Sequence, residues 1–266
     1  MTLHIPLSWN PRNLSWLGLL VGAWLLMGCG GGTSQVTFSV VSVSPGQDGS
    51  FTNRCCGFTV KPKAIFMVLG DVHMLKEAPA NDPTSFASLA PLLKPEDPDP
   101  QPEEIGNNGK FPGLWAINIL KGAAIHNFPT GTVEAGSWKQ VQIRMSPAGS
   151  RVRGTSSAPT ISGKTLLFEG TATKDKIVCN FRMNISFELG VARQVNFDIQ
   201  PELVYRNTIE IDYSTWFDDV RFQNICPADT TQVLEITNSS QPQIIENIKT
   251  AIPSSISVKI GAGTAE

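Results

Sequence analysis

Histidine and tyrosine are scarce in this sequence, and basic residues do not outnumber acidic ones. Its 266 residues include three histidines and two tyrosines, and the formal net charge is −2 at pH 7. After residue 28 the histidines are His73 and His126, and so few imidazoles limit general-base catalysis and classical metal binding. The near-neutral charge provides no broad cationic surface, so a nucleic-acid partner is not expected.

Sequence motifs of common enzymes are absent or incomplete. No GxSxG nucleophile elbow occurs. The letters GKT at 163–165 end like a phosphate-binding loop, but the required earlier glycine is Ala158 and a strand is predicted to follow. No pair of carboxylates is singled out for glycoside hydrolysis. We therefore expect a protein that is not an enzyme, with an envelope enzyme acting on polysaccharide as the alternative.

The N-terminal segment has the layout of a secretory signal. One cation, Arg12, precedes an uncharged apolar run from Leu14 to Met27. A membrane-spanning helix needs about 20 apolar residues, so a permanent transmembrane anchor is not predicted. The letters LMGC at 26–29 resemble the lipobox of bacterial lipoproteins. The resemblance implies cleavage before Cys29, a diacylglycerol on its sulfur, and a location in the bacterial cell envelope, where Gly30 favours the outer membrane.

We therefore expect three parts: a signal peptide at 1–28, a lipidated tether at 29–35, and one domain at 36–266. The glycines that follow Cys29 would form a flexible tether. Several acyl chains, at about 0.8 kcal/mol for each buried methylene, would hold the domain firmly at a membrane.

Four cysteines follow Cys29, namely Cys55, Cys56, Cys179 and Cys226. In an exported protein an even number predicts two disulfides. Adjacent Cys55 and Cys56 would need a strained ring to bond to each other. We therefore expect each to bond one of Cys179 and Cys226, which would link an early hairpin to late strands. A soft-metal thiolate cluster is the alternative, and the absence of CxxC spacing disfavours it.

Apolar and polar residues alternate along most of the chain, as in strands with one buried face. The longest alternation, from Ile177 to Leu189 and on to Ile199, predicts a long strand with Cys179 on its buried side. Residues 64–75 are nearly all apolar, as in a central strand, and a change of alternation at 39–41 predicts a β-bulge. Further strands are predicted at 36–43, 114–120, 138–145, 165–168, 208–213, 233–236 and 256–260. Together they predict an all-β fold, an antiparallel β-sandwich.

Two other features interrupt the strands. One short C-terminal helix is predicted at 242–252, with Ser240 as its N-cap and Pro253 as its stop, and one turn at 213–220. A long proline-rich acidic loop is predicted at about 77–110, and its prolines and like charges indicate a surface excursion that is either functional or disordered. Calcium is an open cofactor: Asp97 and Asp99 begin like an EF-hand loop, but Pro102 replaces the required glycine.

Several segments are similar to an uncharacterised family of bacterial lipoproteins. They read AIFMVLGDVHML at 64–75, GLWAINIL at 113–120, TGTVEAGSWKQVQIRM at 130–145 and VNFDIQPELV at 195–204. In the third, Trp138 stands where the family's hairpin motif has tyrosine. The resemblance implies a β-sandwich on the cell envelope and no catalytic residues. The proline-rich loop, the cysteines and the part from Asn207 onward depart from the family.

Two segments are candidates for binding: the acidic loop with Asp97 and Asp99, and the stretch Trp216 to Asp219. A Trp-Phe pair beside Asp218 and Asp219 can form a partner contact or a sugar platform. We expect instead that Trp216 and Phe217 pack inside one end of the sandwich, and the exposed platform is the alternative. The same aspartates, with Asp212, are a second candidate for calcium.

The sequence as a whole predicts a lipid-anchored envelope protein with a binding or scaffolding role. Its partners would be the membrane, through the lipid, and another envelope protein or a polysaccharide. A metal-handling protein using His73 and Met74 is a further alternative.

Overall fold

The computed structural model describes residues 32–43, 46, 48–76, 109–120, 126–128, 130–149, 152–154 and 161–265. Two β-sheets pack face to face with one short helix, which confirms the all-β sandwich. The strands are β1 Thr33–Ser42, β2 Phe51–Thr52, β3 Thr59–Leu75, β4 Lys110–Phe111, β5 Trp115–Asn118, β6 His126–Asn127, β7 Gly131–Glu134, β8 Gly136–Met145, β9 Arg153–Gly154, β10 Leu166–Lys174, β11 Ile177–Ile185, β12 Leu189–Ile199, β13 Val204–Ile211, β14 Val233–Thr237 and β15 Ile256–Lys259. The helix α1 spans Pro242–Ser255.

The larger sheet has the order β12-β8-β3-β10-β11-β14, and the short strands β2, β4 and β5 also pair with β3. The smaller sheet has the order β15-β13-β1-β6, and β7 also pairs with β1. Most neighbours are antiparallel, whereas β1 with β13, β5 with β9, and β11 with β14 are parallel. The sandwich therefore contains crossover connections as well as hairpins.

The strand β3 is the centre of the larger sheet, as its apolar composition predicts. It pairs with β8 on one side and β10 on the other, and Val68 and Leu69, which point to opposite faces, are both fully buried. The main core lies between the sheets and includes Val36 and Phe38 of β1. A second, smaller cluster covers the other face of β3 around Val68. Each such side chain contributes about 1.5–3 kcal/mol by leaving water.

Two details of the predicted strands are wrong. The alternation from 177 to 199 forms two strands, because the chain turns at 186–188 and β12 pairs with β8 while β11 pairs with β10. Phe187 in this turn is itself buried, so the alternation of apolar residues continues through it. The bulge predicted at 39–41 is also absent from β1, which keeps one register with β13 from Gln35 to Ser42. Register shifts lie instead in the larger sheet, for example in β3 opposite Glu169 and Gly170.

The predicted helix and turn are confirmed, with different ends. Ser240 does not cap α1, since its hydroxyl donates to the carbonyl of Glu235 over 2.8 Å, and Pro253 lies inside the last turn of the helix rather than after it. A 3-10 helix, η1, spans Tyr213–Phe217, and a shorter one, η2, spans Phe222–Asn224. Within the described ranges no helix is both long and apolar enough to cross a membrane. Most of the predicted loop, residues 77–108, lies outside the described residues.

The parallel pairing of β1 with β13 gives the sandwich two distinct ends. At the N-terminal end, where β1 begins, Gly32 accepts a hydrogen bond from the N–H of Ala135 over 2.8 Å. At the opposite end β1 and β13 finish together, at Ser42 and Ile211, and η1 follows. The ten residues of β1, at a rise of about 3.3 Å each, separate the two ends by about 30 Å.

Candidate functional site

The end of the sandwich where β1 and β13 finish carries two free thiols, and we call it the thiol end. It consists of the loop at 53–58 between β2 and β3, the turn at 174–177 between β10 and β11, and the segment at 212–226. The antiparallel register brings the first two together, because Thr59 of β3 pairs with Thr173 of β10.

The predicted disulfide pairing is wrong. Cys179 bonds Cys226, with their Cα atoms 5.5 Å apart, and Cys55 and Cys56 are free. Cys179 lies on the buried face of β11, as the alternation predicts, and the segment at 212–226 brings Cys226 to it across the end of the sandwich. Cys55 and Cys56 lie on a surface loop, so neither thiol faces the interior position that Cys179 occupies.

A buried asparagine fixes the loop that carries the free thiols. Asn53 is 1% exposed, and its side-chain oxygen accepts the N–H of Phe58 over 2.9 Å. Its side-chain amide donates to the carbonyl of Val220 over 2.7 Å and to that of Phe217 over 3.3 Å. The turn closes through Gly57, whose φ of 70° is readily adopted by glycine. The loop is therefore attached to η1 and the residues that follow it.

The sulfur atoms of Cys55 and Cys56 lie 2.8 Å apart. Polar groups of neighbouring elements surround Cys56: the side-chain amide of Gln223 donates to its sulfur over 3.4 Å, and the ammonium of Lys174 donates to its backbone carbonyl over 2.6 Å. The hydrogen bond from Cys55, the bond from Gln223 and the positive charges of Arg221 and Lys174 lower the pKa of Cys56. Burial and the neighbouring Cys56 raise the pKa of Cys55 to about 11. Cys56 is thus the thiol that ionises first.

An ion pair lies beside the thiols. Arg54 contacts the carboxylate of Asp218 at 3.4 Å, and the N–H of Cys55 donates to the carbonyl of Asp218 over 3.0 Å. Burial raises the pKa of Asp218, and Asp219 and Asp212 add to the rise while Arg54 opposes it. The structure thus brings the predicted residues Asp218 and Asp219 to the free cysteines, a proximity that sequence reasoning did not find.

Aromatic side chains pack directly beneath the thiol end. Phe217 of η1 lies 4.8 Å from Phe168 and 5.5 Å from Phe181, measured between ring centroids, and Phe222 lies 5.6 Å from Phe58. These rings bind η1, η2 and the thiol loop to β10 and β11. The thiols are therefore carried by a firmly packed base rather than by a free loop.

Of the two hypotheses for Trp216, the structure contradicts the exposed aromatic platform. Trp216 is 1% exposed, and its indole N–H donates to the hydroxyl of Ser255 over 2.8 Å. Phe217 is also fully buried, so the hypothesis in which both rings close one end of the sandwich is correct. The reason is the 3-10 geometry of η1, which turns Trp216 toward α1 and leaves Asp218 and Asp219 at the surface end of the segment.

The predicted metal ligands are not assembled. Met74 is buried in the core, whereas His73 precedes it in β3 and points to the other face of the sheet. Burial lowers the pKa of His73. Asp212 is engaged in capping η1, since one carboxylate oxygen accepts the N–H and the hydroxyl of Ser214 at 3.0 and 2.6 Å. In the part of the chain that the structure describes, no three His, Cys, Asp or Glu side chains are grouped to hold a metal ion.

Three predicted site residues lie outside the described residues, namely Cys29, Asp97 and Asp99. The lipidation of Cys29 and the binding role of the acidic loop stay predictions. The side chain of His126 is likewise outside what is described.

Exposed aliphatic side chains are a second feature of the thiol end that sequence reasoning missed. Among the described residues the exposed large hydrophobic ones are Val43, Ile177, Val178 and Val233, with 38–46% of their surface accessible. Val43 follows β1, Ile177 and Val178 begin β11, and Val233 begins β14 beside Asn180. Two sequence features could have indicated this end. They are the adjacent cysteines at 55–56 between an arginine and a glycine, and the apolar pair Ile177 and Val178 at a hairpin turn.

Comparison with known proteins adds no relative. The sequence matches no family model, no curated protein is significantly similar to it, and no solved structure is similar at a significant level. The segments that resemble uncharacterised lipoproteins include β3, β5 and β8, which are neighbours in the larger sheet. That resemblance stays a prediction.

Proposed function

We propose that this chain is a lipid-anchored protein of the bacterial cell envelope that binds another envelope protein through its thiol end. We favour this role over that of an enzyme acting on polysaccharide. The observation that carries the proposal is the position of the two ends. The lipid would be attached at one end of the sandwich, and the exposed large aliphatic side chains of the described residues lie at the other.

The disulfide supports export. Structural disulfides persist in oxidising compartments such as the periplasm and the cell surface, and are rare in the cytosol. The Cys179–Cys226 bond joins β11 to the segment that closes the thiol end. A chain with a signal-like N-terminus and such a bond fits the envelope better than the cytosol.

The geometry of the tether supports an outward-facing site. The span from Cys29 to Thr33 reaches at most about 14 Å when fully extended, so a lipid on Cys29 would keep the N-terminal end of the sandwich close to the bilayer surface. The thiol end lies about 30 Å further along β1. Anchored in this way, the domain presents the thiol end to partners away from its own membrane.

The composition of the thiol end favours a protein partner over a polysaccharide. Val178 and Val233 lie on neighbouring strands of the larger sheet, and Arg54 is 80% exposed at its side chain. Surfaces that combine exposed aliphatic and charged side chains are typical of protein contacts, whereas sugar platforms use exposed aromatic faces. The aromatic rings described at this end are buried.

The anchor is tested by replacing the cysteine that would carry the lipid. Cys29→Ala should abolish incorporation of a labelled fatty acid and move the protein from the detergent phase to the aqueous phase. Cys56→Ala is the matched control and should keep both properties. An unchanged membrane fraction in Cys29→Ala would refute the lipid anchor.

The partner is tested by photo-crosslinking in living cells. A photoreactive amino acid at position 178 or 233 should give a discrete crosslinked protein, and the product at 178 should disappear when Val233 is replaced by lysine. Position 132, on the exposed face of β7 at the N-terminal end, is the control and should give no such product. Equal products from positions 178 and 132 would contradict a binding site at the thiol end.

A further inference from the structure

We infer that Cys55 and Cys56 form a redox-active pair that undergoes thiol–disulfide exchange. The reduced pair has two thiols, and the oxidised pair has a disulfide bond between the two adjacent cysteines. This activity goes beyond the binding function proposed above and does not depend on the lipid anchor. It rests on the placement of the two sulfurs, on the groups that surround them and on the separate structural disulfide.

The first observation is proximity. The two sulfurs lie 2.8 Å apart, and a disulfide bond of about 2.05 Å requires them to approach by only about 0.8 Å. The loop is fixed at Asn53 and turns at Gly57, so both thiols are held at one side of it. The two sulfurs are therefore within reach of each other, although the ring that the bond closes is strained.

The second observation is the difference between the two thiols. Gln223 donates to the sulfur of Cys56, and Lys174 lies against its carbonyl. The thiol of Cys55 donates to the carbonyl of Val220 over 3.3 Å, and its sulfur accepts the side-chain amide of Asn53 over 3.5 Å. A reactive thiolate needs hydrogen-bond donors, positive charge and access to solvent. Both sulfurs accept an amide N–H, but Lys174 lies against Cys56, whereas the Cys55 thiol donates to a carbonyl, which favours its protonated form. Cys56 is therefore the attacking thiol, and Cys55 is the thiol that resolves a mixed disulfide.

The third observation is the separation of roles among the four cysteines. The Cys179–Cys226 bond holds the segment at 212–226, which supplies Gln223 and the carbonyls of Asp218 and Val220 to the thiol loop. A bond between adjacent cysteines would instead span Cα atoms about 3.8 Å apart, below the usual range of about 4.4–6.8 Å. Strained and exposed disulfides are the easily reduced ones. One bond is therefore structural and the other is suited to exchange.

The electrons and protons of the exchange balance when a low-molecular-weight disulfide is the oxidant. The Cys56 thiolate attacks one sulfur of the oxidant, forms a mixed disulfide and releases the first thiolate, which takes the proton that Cys56 has lost. Cys55 then gives up its proton and attacks the sulfur of Cys56, and the second thiolate leaves and takes that proton. Two protein thiols are oxidised to one disulfide, and one small disulfide is reduced to two thiols.

The test uses the full chain in detergent, reduced mildly so that Cys179–Cys226 stays intact, and then incubated with oxidised glutathione. After an acid quench, free thiols are alkylated and peptides are analysed by mass spectrometry. In the unchanged protein both cysteines should be protected from alkylation without a glutathione adduct. In Cys55→Ser a stable adduct on Cys56 should accumulate, and in Cys56→Ser the adduct on Cys55 should form at least about ten-fold more slowly.

Charge near the sulfur supplies a second readout. Gln223→Glu places a carboxylate against Cys56 and should slow adduct formation in the Cys55→Ser background several-fold, whereas Gln232→Glu, an exposed position without contact to the thiols, should not. Unfolding curves of each variant establish that it is folded. Stable adducts on both cysteines of the unchanged protein, two thiols that stay open to alkylation, or equal rates in Cys55→Ser and Cys56→Ser would each overturn the redox role.

Discussion

The buried amide of Asn53 donates to the carbonyl of Val220 over 2.7 Å, and this bond joins the loop of the free thiols to the segment that closes the sandwich. The same side chain accepts the N–H of Phe58. One residue therefore satisfies backbone groups on two elements that are distant in sequence, and it sets the position of Cys55 relative to Asp218.

Replacing Asn53 should destabilise the whole domain. Asn53→Ala leaves the N–H of Phe58 and the carbonyl of Val220 without their partner in a buried place, and each such group costs about 1–3 kcal/mol. We expect the free energy of unfolding in urea to fall by about 2–4 kcal/mol. Asn247→Ala on the surface side of α1 is the control and should change it by less than about 0.5 kcal/mol. Equal values for the two variants would contradict a structural role for Asn53.

The sandwich could be predicted from the sequence because alternation reports directly which face of a strand is buried. It identified β3, β8 and β14, and it placed Cys179 on the inner face. Alternation does not report where a strand turns when the turn is also buried, and Phe187 therefore concealed the break between β11 and β12.

The thiol end could not be predicted, because its contacts join residues far apart in the chain. Asn53 has the sequence context of an ordinary turn residue, yet the fold buries it against Phe217 and Val220. The partner of Cys179 likewise depends on how η1 and η2 fold over the end of the sandwich, which no periodicity encodes. Trp216 was ambiguous for the same reason, since a short 3-10 helix can turn a ring either way.

The Cys179–Cys226 disulfide should contribute strongly to stability. The two residues are 47 positions apart, and closing a loop of that length corresponds to about 4 kcal/mol in the chain-entropy model. Cys226→Ser should therefore lower the urea midpoint markedly, and strong reductant should lower the midpoint of the unchanged protein to a similar value. Cys55→Ser is the matched control and should leave the midpoint nearly unchanged. A small effect in Cys226→Ser would show that the segment at 212–226 is held by packing alone.

Trp216 should act in stability rather than in ligand binding. Its ring is buried, and Trp216→Ala should lower the free energy of unfolding by about 3–5 kcal/mol. Trp216→Phe and Ser255→Ala remove the same hydrogen bond from its two sides, so the double variant should lose less than the sum of the single ones. Additive losses would show that the hydrogen bond contributes nothing to stability. A Trp216→Ala protein as stable as the unchanged one would contradict the buried position of Trp216 and support the exposed aromatic platform.

The ionisation of Cys56 should depend on its neighbour. The hydrogen bond between the two thiols and the bond from Gln223 lower the pKa of Cys56. Its alkylation by iodoacetamide should therefore reach half its maximal rate at a lower pH than that of a free thiol does. Below that pH Cys56 is protonated and the rate falls. In Cys55→Ala the stronger donor is lost, so the midpoint of the rate against pH should move upward, whereas Cys55→Ser keeps a hydroxyl donor and should move it less. A midpoint that is the same in Cys55→Ala as in the unchanged protein would show that the two sulfurs do not share a proton, and would leave Gln223 and the nearby cations as the groups that set the acidity of Cys56.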